Sequence, residues 1–223
     1  MTEEPSASDA RYQIVARATS IIFFVTVGVN PAPAWFSRAV PDHYYRDFNV
    51  ASLRGQDVDD ATLEQIEGLE QIEELYLDNS RITDAGMSRL RRLKNLKFLD
   101  LIGTQVTDSG LANLVGLSDL HYLRLSGTQI TDAGLAQLSG LRGLRSLLLD
   151  ETNVTDSGLV QLSGQDQLIK LSRDGTQVGD AGLEVLKSNG RMISVRLSGT
   201  GVSQAGIAKL KANNPQLEYI KFP

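Results

Sequence analysis

Seven apolar β-branched residues, Val58, Ile82, Val106, Ile130, Val154, Val178 and Val202, recur along the chain at a constant step of 24 residues. Between them the hydrophobic spacing changes in a fixed order. In "LKFLDLIGTQV" (96–106) the apolar slots are Leu96, Leu99, Leu101 and Val106, and "LHYLRLSGTQI" repeats them as Leu120, Leu123, Leu125 and Ile130. The alternation Leu99–Asp100–Leu101 has period two, which predicts a short strand with one face inward. Leu111, Leu114 and Leu117 then follow at steps of three, which predicts one stripe of a short helix. Each unit therefore reads as strand, turn, helix and return loop.

No such unit can cover its own apolar stripe. Stacked neighbours cover one another, and the strands then form a parallel sheet along one side of a solenoid. Eight strand segments are expected, centred near Ala51, Leu75, Leu99, Leu123, Leu147, Leu171, Val195 and Ile220. The unit pattern L-x-x-L-x-L-x-x-T-x-V, at this period, is that of leucine-rich repeats. The expected fold class is thus α/β: a leucine-rich-repeat solenoid, a curved right-handed horseshoe with a parallel concave sheet and short convex helices.

The words "TQVTDSGLANL" (104–114), "TQITDAGLAQL" (128–138) and "TNVTDSGLVQL" (152–162) most resemble the T-D-x-G-L type of leucine-rich repeat. That type is abundant in bacteria, notably planctomycetes, and is found more loosely in F-box substrate receptors. The resemblance covers residues 48–223 and implies a protein-interaction scaffold without enzymatic activity. "NPAPAWFSRAVPDHYYRDF" (30–48) resembles the Pro-Ala-Trp segment that precedes the first repeat in planctomycete members. Residues 1–47 are accordingly expected to form an N-terminal segment and cap, with a short helix, an apolar strand and a Pro-Ala-Trp loop.

A helix start leaves unpaired N–H groups, and Thr83, Thr107, Thr131 and Thr155 sit where helical spacing begins, as N-caps would. Asp84, Asp108, Asp132 and Asp156 follow them and suit the positive end of the helix dipole. Gly86, Gly110, Gly134, Gly158, Gly182 and Gly206 fall inside the first turn, where glycine costs about 1 kcal/mol relative to alanine. That repeated cost predicts helix backbone pressed against a neighbouring unit. Thr104, Thr128, Thr152, Thr176 and Thr200 occupy a slot suited to satisfying backbone groups in the turn after the strand. A row of Asp residues could also suggest metal or phosphate, but repeat spacing separates them too far for one ion. They read as fold residues.

One unit departs from the pattern. It carries Arg173 at an inward strand position, Gln165 in place of a leucine and Gly179 in place of the capping threonine. A buried unpaired arginine is costly, so a local distortion, an acidic partner or snorkelling to solvent is expected. The last unit loses its Asp, and Asn213-Asn214-Pro215 after its helix reads as a stop. Pro223 cannot donate to a further strand, which protects the sheet edge.

Composition narrows the picture only modestly. With 41% hydrophobic and 22% charged residues over 223 positions, the chain reads as an ordinary globular protein. A net charge of −5 argues against a nucleic-acid footprint, and the absence of cysteine excludes disulfides and thiol chemistry. The run "ATSIIFFVTVGV" (18–29) is too short for a membrane span. Its β-branched and aromatic content favours a buried strand. Arg11, Arg17 and the small residues "APA" (32–34) leave an export signal over about 1–34 as the alternative, opposed by Glu3, Glu4 and Asp9. A cytoplasmic location is favoured on that basis.

The outward strand positions are the candidates for function, because solenoids of this kind bind through the concave sheet. Tyr76, Asp78, Phe98 and Asp100 come from two neighbouring units, and Tyr122, Arg124, Leu148 and Asp150 from the next two. Exposed aromatics flanked by charge have the composition of a binding hot spot. The expectation is a monomer that binds a protein or peptide there, with no cofactor, no metal and no nucleic acid. No catalytic set is present: His43 and His121 are far apart, and "NVT" (153–155) is accounted for by the repeat. Weaker alternatives are an exported cell-surface binding protein, an F-box-like adaptor suggested by "VPDHYYRDF" (40–48), and an accessory domain of a larger chain.

Overall fold

The computed structural model describes residues 49–64, 70–188 and 191–222, together with the backbone of two earlier strands, β1 (Val15–Ala18) and β2 (Ile21–Val27). The Pro-Ala-Trp and F-box-like segment at 30–48, His43 and Pro223 lie outside the described residues. β1 pairs antiparallel with β2, and β2 antiparallel with β3 (Asn49–Ser52).

From β3 onward every pairing is parallel, and the strands follow one another across the sheet in chain order. They are β4 (Glu74–Tyr76), β5 (Phe98–Asp100), β6 (Tyr122–Arg124), β7 (Ser146–Leu148), β8 (Lys170–Ser172), β9 (Ser194–Arg196) and β10 (Tyr219–Lys221). With β3 these are the eight expected segments. Pairing joins equivalent residues of successive units, so Leu75, Leu99, Leu123, Leu147 and Leu171 form one buried column. Each such leucine contributes about 2 kcal/mol relative to an exposed one. Only a stack of units can realise that burial, because one unit supplies a single rung.

The short helices α1 (Asp60–Leu63), α2 (Asp84–Met87), α3 (Asp108–Leu111), α4 (Asp132–Gln137), α5 (Asp156–Val160) and α6 (Asp180–Leu183) back the sheet. Most are a single α-turn. In several units a 3₁₀ segment continues the helix, such as Ala112–Leu114 after α3. The leucine step of three noted above is the 3₁₀ period, which brings Leu111 and Leu114 onto one buried stripe. The last helix, α7 (Gln204–Asn213), runs longer and stops where expected. Asn213 and Asn214 donate their side-chain amides to the carbonyls of Lys209 and Leu210.

Thr-Asp-x-Gly proves to be a connector between units. Asp84 accepts from the Thr107 amide at 2.8 Å and from the Thr107 hydroxyl at 2.6 Å. Asp60 holds Thr83 in the same way, Asp108 holds Thr131, Asp132 holds Thr155, and Asp180 holds Ser203. The threonine does cap its own helix in several units: Thr83, Thr131 and Thr155 accept from the amide two residues on. The aspartate's hydrogen-bonding role, however, is across units rather than local. It also explains the glycine. A Cβ on Gly110 would collide with the Asp84 carboxylate, and Gly86, Gly134, Gly158, Gly182 and Gly206 each face the preceding unit's aspartate in the same way. The second threonine slot also behaves as expected, with Thr104 donating to the Leu101 carbonyl at 2.8 Å and its equivalents doing likewise.

Of the three expected escapes Arg173 takes only part of one, the charge of Asp156 acting on it without a hydrogen bond. It is fully buried, and its backbone stays in the ladder by donating to the Arg196 carbonyl at 3.2 Å. Its Nε, Nη1 and Nη2 atoms make no hydrogen bond. Burial pulls its pKa down to about 9, against the opposing charge of Asp156. In the same unit, Gly179 supplies Asp156 with an amide at 2.7 Å but has no hydroxyl to offer its second oxygen. The buried cation and the incomplete connector therefore share one aspartate.

Candidate functional site

The alternation of strand residues sends Glu74, Tyr76 and Asp78 to the concave face while Leu75 and Leu77 are fully buried beneath them. The same alternation places the outward side chains of β5 to β9. Register then decides which of them meet. Glu74, Phe98, Tyr122, Ser146 and Lys170 form one row across the sheet, and Tyr76, Asp100, Arg124, Leu148 and Ser172 form the next. Tyr76 and Phe98 therefore lie diagonally, on neighbouring strands but in different rows.

The three aromatics nevertheless form one continuous surface. The Tyr76 and Phe98 ring centroids are 4.8 Å apart, and those of Phe98 and Tyr122 are 6.2 Å apart, both pairs tilted. Such separations suit attractive aromatic packing. The Arg54 guanidinium lies 4.5 Å from the Tyr76 ring centre, and that of Arg124 lies 5.1 Å from the Phe98 ring centre. Tyr76 donates its phenol to Glu74 at 2.8 Å, and burial together with that carboxylate pushes its pKa up to about 12. It stays neutral at physiological pH. Tyr122 is 43% exposed, a large value for an aromatic on a sheet face.

The acids read from the sequence as contact residues are placed differently. Asp100 is buried, held by Arg124 at 3.0 Å and by the Ile102 amide at 3.2 Å. Asp78 is paired with Arg54 at 2.8 Å. Asp150 accepts from the Ser172 hydroxyl at 2.5 Å and from the Asp174 amide at 2.6 Å. Asp174 in turn holds Arg196 at 2.8 Å. These carboxylates brace the face, and hydrogen-bonding neighbours occupy them. Sequence alternation marks a side chain as outward but does not reveal that its neighbours cover it.

A cavity of about 540 Å³ opens beside the aromatics. Tyr76, Phe98 and Tyr122 line one part of it, Leu148 and Ile169 another. Lys97, Arg145 and Lys170 also line it; Lys170 is an outward strand position of β8 by alternation, whereas Lys97 and Arg145 stand before their strands. The signal for Lys97 and Arg145 is that position just before each strand, which holds Glu73, Lys97, His121 and Arg145 in successive units. Among the described residues no group of acids and histidines is placed to hold a metal ion, and no helix is long and apolar enough to cross a membrane.

Comparison with known proteins agrees with this architecture. The family model described as "Leucine Rich repeat" matches residues 116–139. No curated protein sequence matches the chain. Among solved structures, an internalin of Listeria monocytogenes is 26% identical with a TM-score of 0.65, and the match covers 78% of this chain and 47% of that one. Internalin C2 of the same organism is also 26% identical, with a TM-score of 0.63 over 79% of this chain and 81% of its own. A leucine-rich-repeat protein of Leptospira interrogans shares the fold at 20% identity and a TM-score of 0.54, over 70% of this chain and 38% of its own. The chain thus spans about half the length of the first of these structures.

Proposed function

Taking the chain as a leucine-rich-repeat protein, we propose that it is a non-catalytic interaction module that binds a protein or peptide partner on its concave sheet, as a monomer. One observation carries the proposal: Tyr76, Phe98 and Tyr122 form an unbroken aromatic surface on the rim of a cavity of about 540 Å³. Cavities of roughly 300–1,000 Å³ are of the size that takes ligand groups or anchoring side chains. Tyrosine and arginine are the residues that most often carry binding energy at the centre of an interface. Here Arg54 and Arg124 stack on the rings from the paired-acid side, so the surface is fixed before a partner arrives. Preorganisation of this kind lowers the entropy lost on association.

The test is affinity capture from lysate of the source organism with wild-type protein and with the triple variant Tyr76→Ala/Phe98→Ala/Tyr122→Ala. All three side chains leave the sheet on its outer face, so the variant should keep its fold by circular dichroism. A partner retained by wild type and lost by the variant supports the proposal. Equal capture by both proteins refutes the assignment of this face.

A further inference from the structure

We infer that the concave cavity receives an acidic peptide segment bearing an apolar side chain, with Arg145 and Lys170 as the groups that hold its carboxylates. The inference rests on the concave-face reading and adds the chemistry of the partner.

The charges on this face fall into two sets. At the C-terminal ends of the strands the set is closed. Arg54 pairs with Asp78, Arg124 with Asp100, and Arg196 with Asp174, at 2.8, 3.0 and 2.8 Å. At the N-terminal ends the set is open. Lys97 is paired with Glu73 at 2.8 Å. Arg145, two units further along, and Lys170, at the start of β8, are both exposed, and among the described residues neither has an acidic partner.

The cavity wall is therefore positive where the molecule as a whole is negative. Of the cations lining it, Lys97 and Arg124 are already paired with Glu73 and Asp100, so Arg145 and Lys170 supply the excess positive charge, against the single lining acid Glu74, which accepts from Tyr76. The chain carries a net charge of −5. A local potential opposite to the overall charge selects an anionic ligand at the cavity while repelling polyanions from the rest of the surface. That combination disfavours nucleic acid, which needs many cations in register with phosphates. The apolar part of the wall, Leu148 and Ile169 beside Tyr122, calls for an aliphatic or aromatic side chain next to the carboxylates. An extended peptide delivers both from neighbouring residues.

The test measures fluorescence anisotropy of three labelled probes: a short peptide alternating glutamate with leucine, the same peptide with lysine for glutamate, and oligothymidylate. Each is titrated with wild type, with Arg145→Glu/Lys170→Glu, and with the aromatic triple variant. The expected result is that wild type binds the glutamate peptide in preference to the other two. The charge-reversed protein should bind it at least about tenfold more weakly, the range for removing close charge pairs at an interface, and should gain affinity for the lysine peptide. Equal binding of the glutamate peptide by wild type and the charge-reversed protein overturns the inference. If the aromatic triple variant still loses that binding, the concave-face reading survives alone. Indifference to both variants overturns both. Failure of the glutamate peptide to bind wild type, or tighter binding of oligothymidylate or the lysine peptide, overturns the inference about the partner's charge.

Discussion

Asp84 takes both the amide and the hydroxyl of Thr107, at 2.8 and 2.6 Å, and so completes a helix start that lies in the next unit along the chain. The Gly110 backbone lies against the same carboxylate. Three letters of the repeated word are thus explained by one contact, and that contact sets a prediction whose sign separates two accounts of the glycine.

If only helix propensity mattered, Gly110→Ala would stabilise the protein by about 1 kcal/mol. Because the added methyl would displace the Asp84 carboxylate and press on Val106 and Met87, the substitution is expected to destabilise by about 2 kcal/mol, as overpacking does. Urea denaturation of the two proteins decides the sign.

Arg173→Leu restores the residue type that Leu101, Leu125, Leu149 and Leu197 hold at the same slot. It removes a buried guanidinium without hydrogen bonds, and an increase in stability of about 2 kcal/mol is expected. Arg173→Ala would leave a cavity and gain less. A leucine variant no more stable than wild type would show that the guanidinium is compensated.

The turn after each strand requires a left-handed residue. Gly103, Gly127, Gly175 and Gly199 supply it with φ near +70°, whereas Asn79 and Glu151 occupy the same slot at +59° and +57°. Asparagine tolerates that region and glutamate does not. Glu151→Gly should raise stability by about 0.5–1 kcal/mol, and Asn79→Gly should change it less. Paired thermal melts measure both.

Acid should weaken the connector between Asp180 and Ser203. Hydrogen bonds from the Ser203 hydroxyl and amide hold the Asp180 carboxyl below its ordinary value of 3.8. The unfolded state therefore binds the proton first. The contribution of this contact is complete above the ordinary value and is lost as pH falls through the folded-state value. Melting temperature should drop as pH falls below about 3.8, and Asp180→Asn should shrink that drop while lowering stability at neutral pH. An unaltered acid profile in the variant would remove Asp180 from the account.

Much of the fold was legible because the strand leucines mean the same thing locally and globally: each is inward in its own strand and stacked on its equivalent in the next. The aspartates were not, because periodicity disguises distance. Asp84 stands beside Thr83 in the chain, yet its partner is Thr107, the same letter one period later. The site was half legible. Tyr76, Phe98 and Tyr122 follow from alternation, but their diagonal contact needs the register. The burial of Asp100 depends on Arg124 folding over it, which no pattern within one unit encodes. Arg145 falls outside the alternation because it stands just before β7, whereas Lys170 is an outward position of β8 whose place in the cavity wall needs the register.

The aspartate connector has a consequence for how such a chain can change length. Each contact joins the end of one period to the start of the next, so excising residues 108–131 would leave Thr107 followed directly by Asp132. Asp84 would still hold Thr107, and Asp132 would still hold Thr155. The scaffold can therefore shed or gain a whole unit without orphaning a connector, while the concave face loses or gains one strand's side chains and must re-pair its own charges, as Asp100 would on losing Arg124. What the molecule recognises can be edited in blocks, without touching the connectors that join its units.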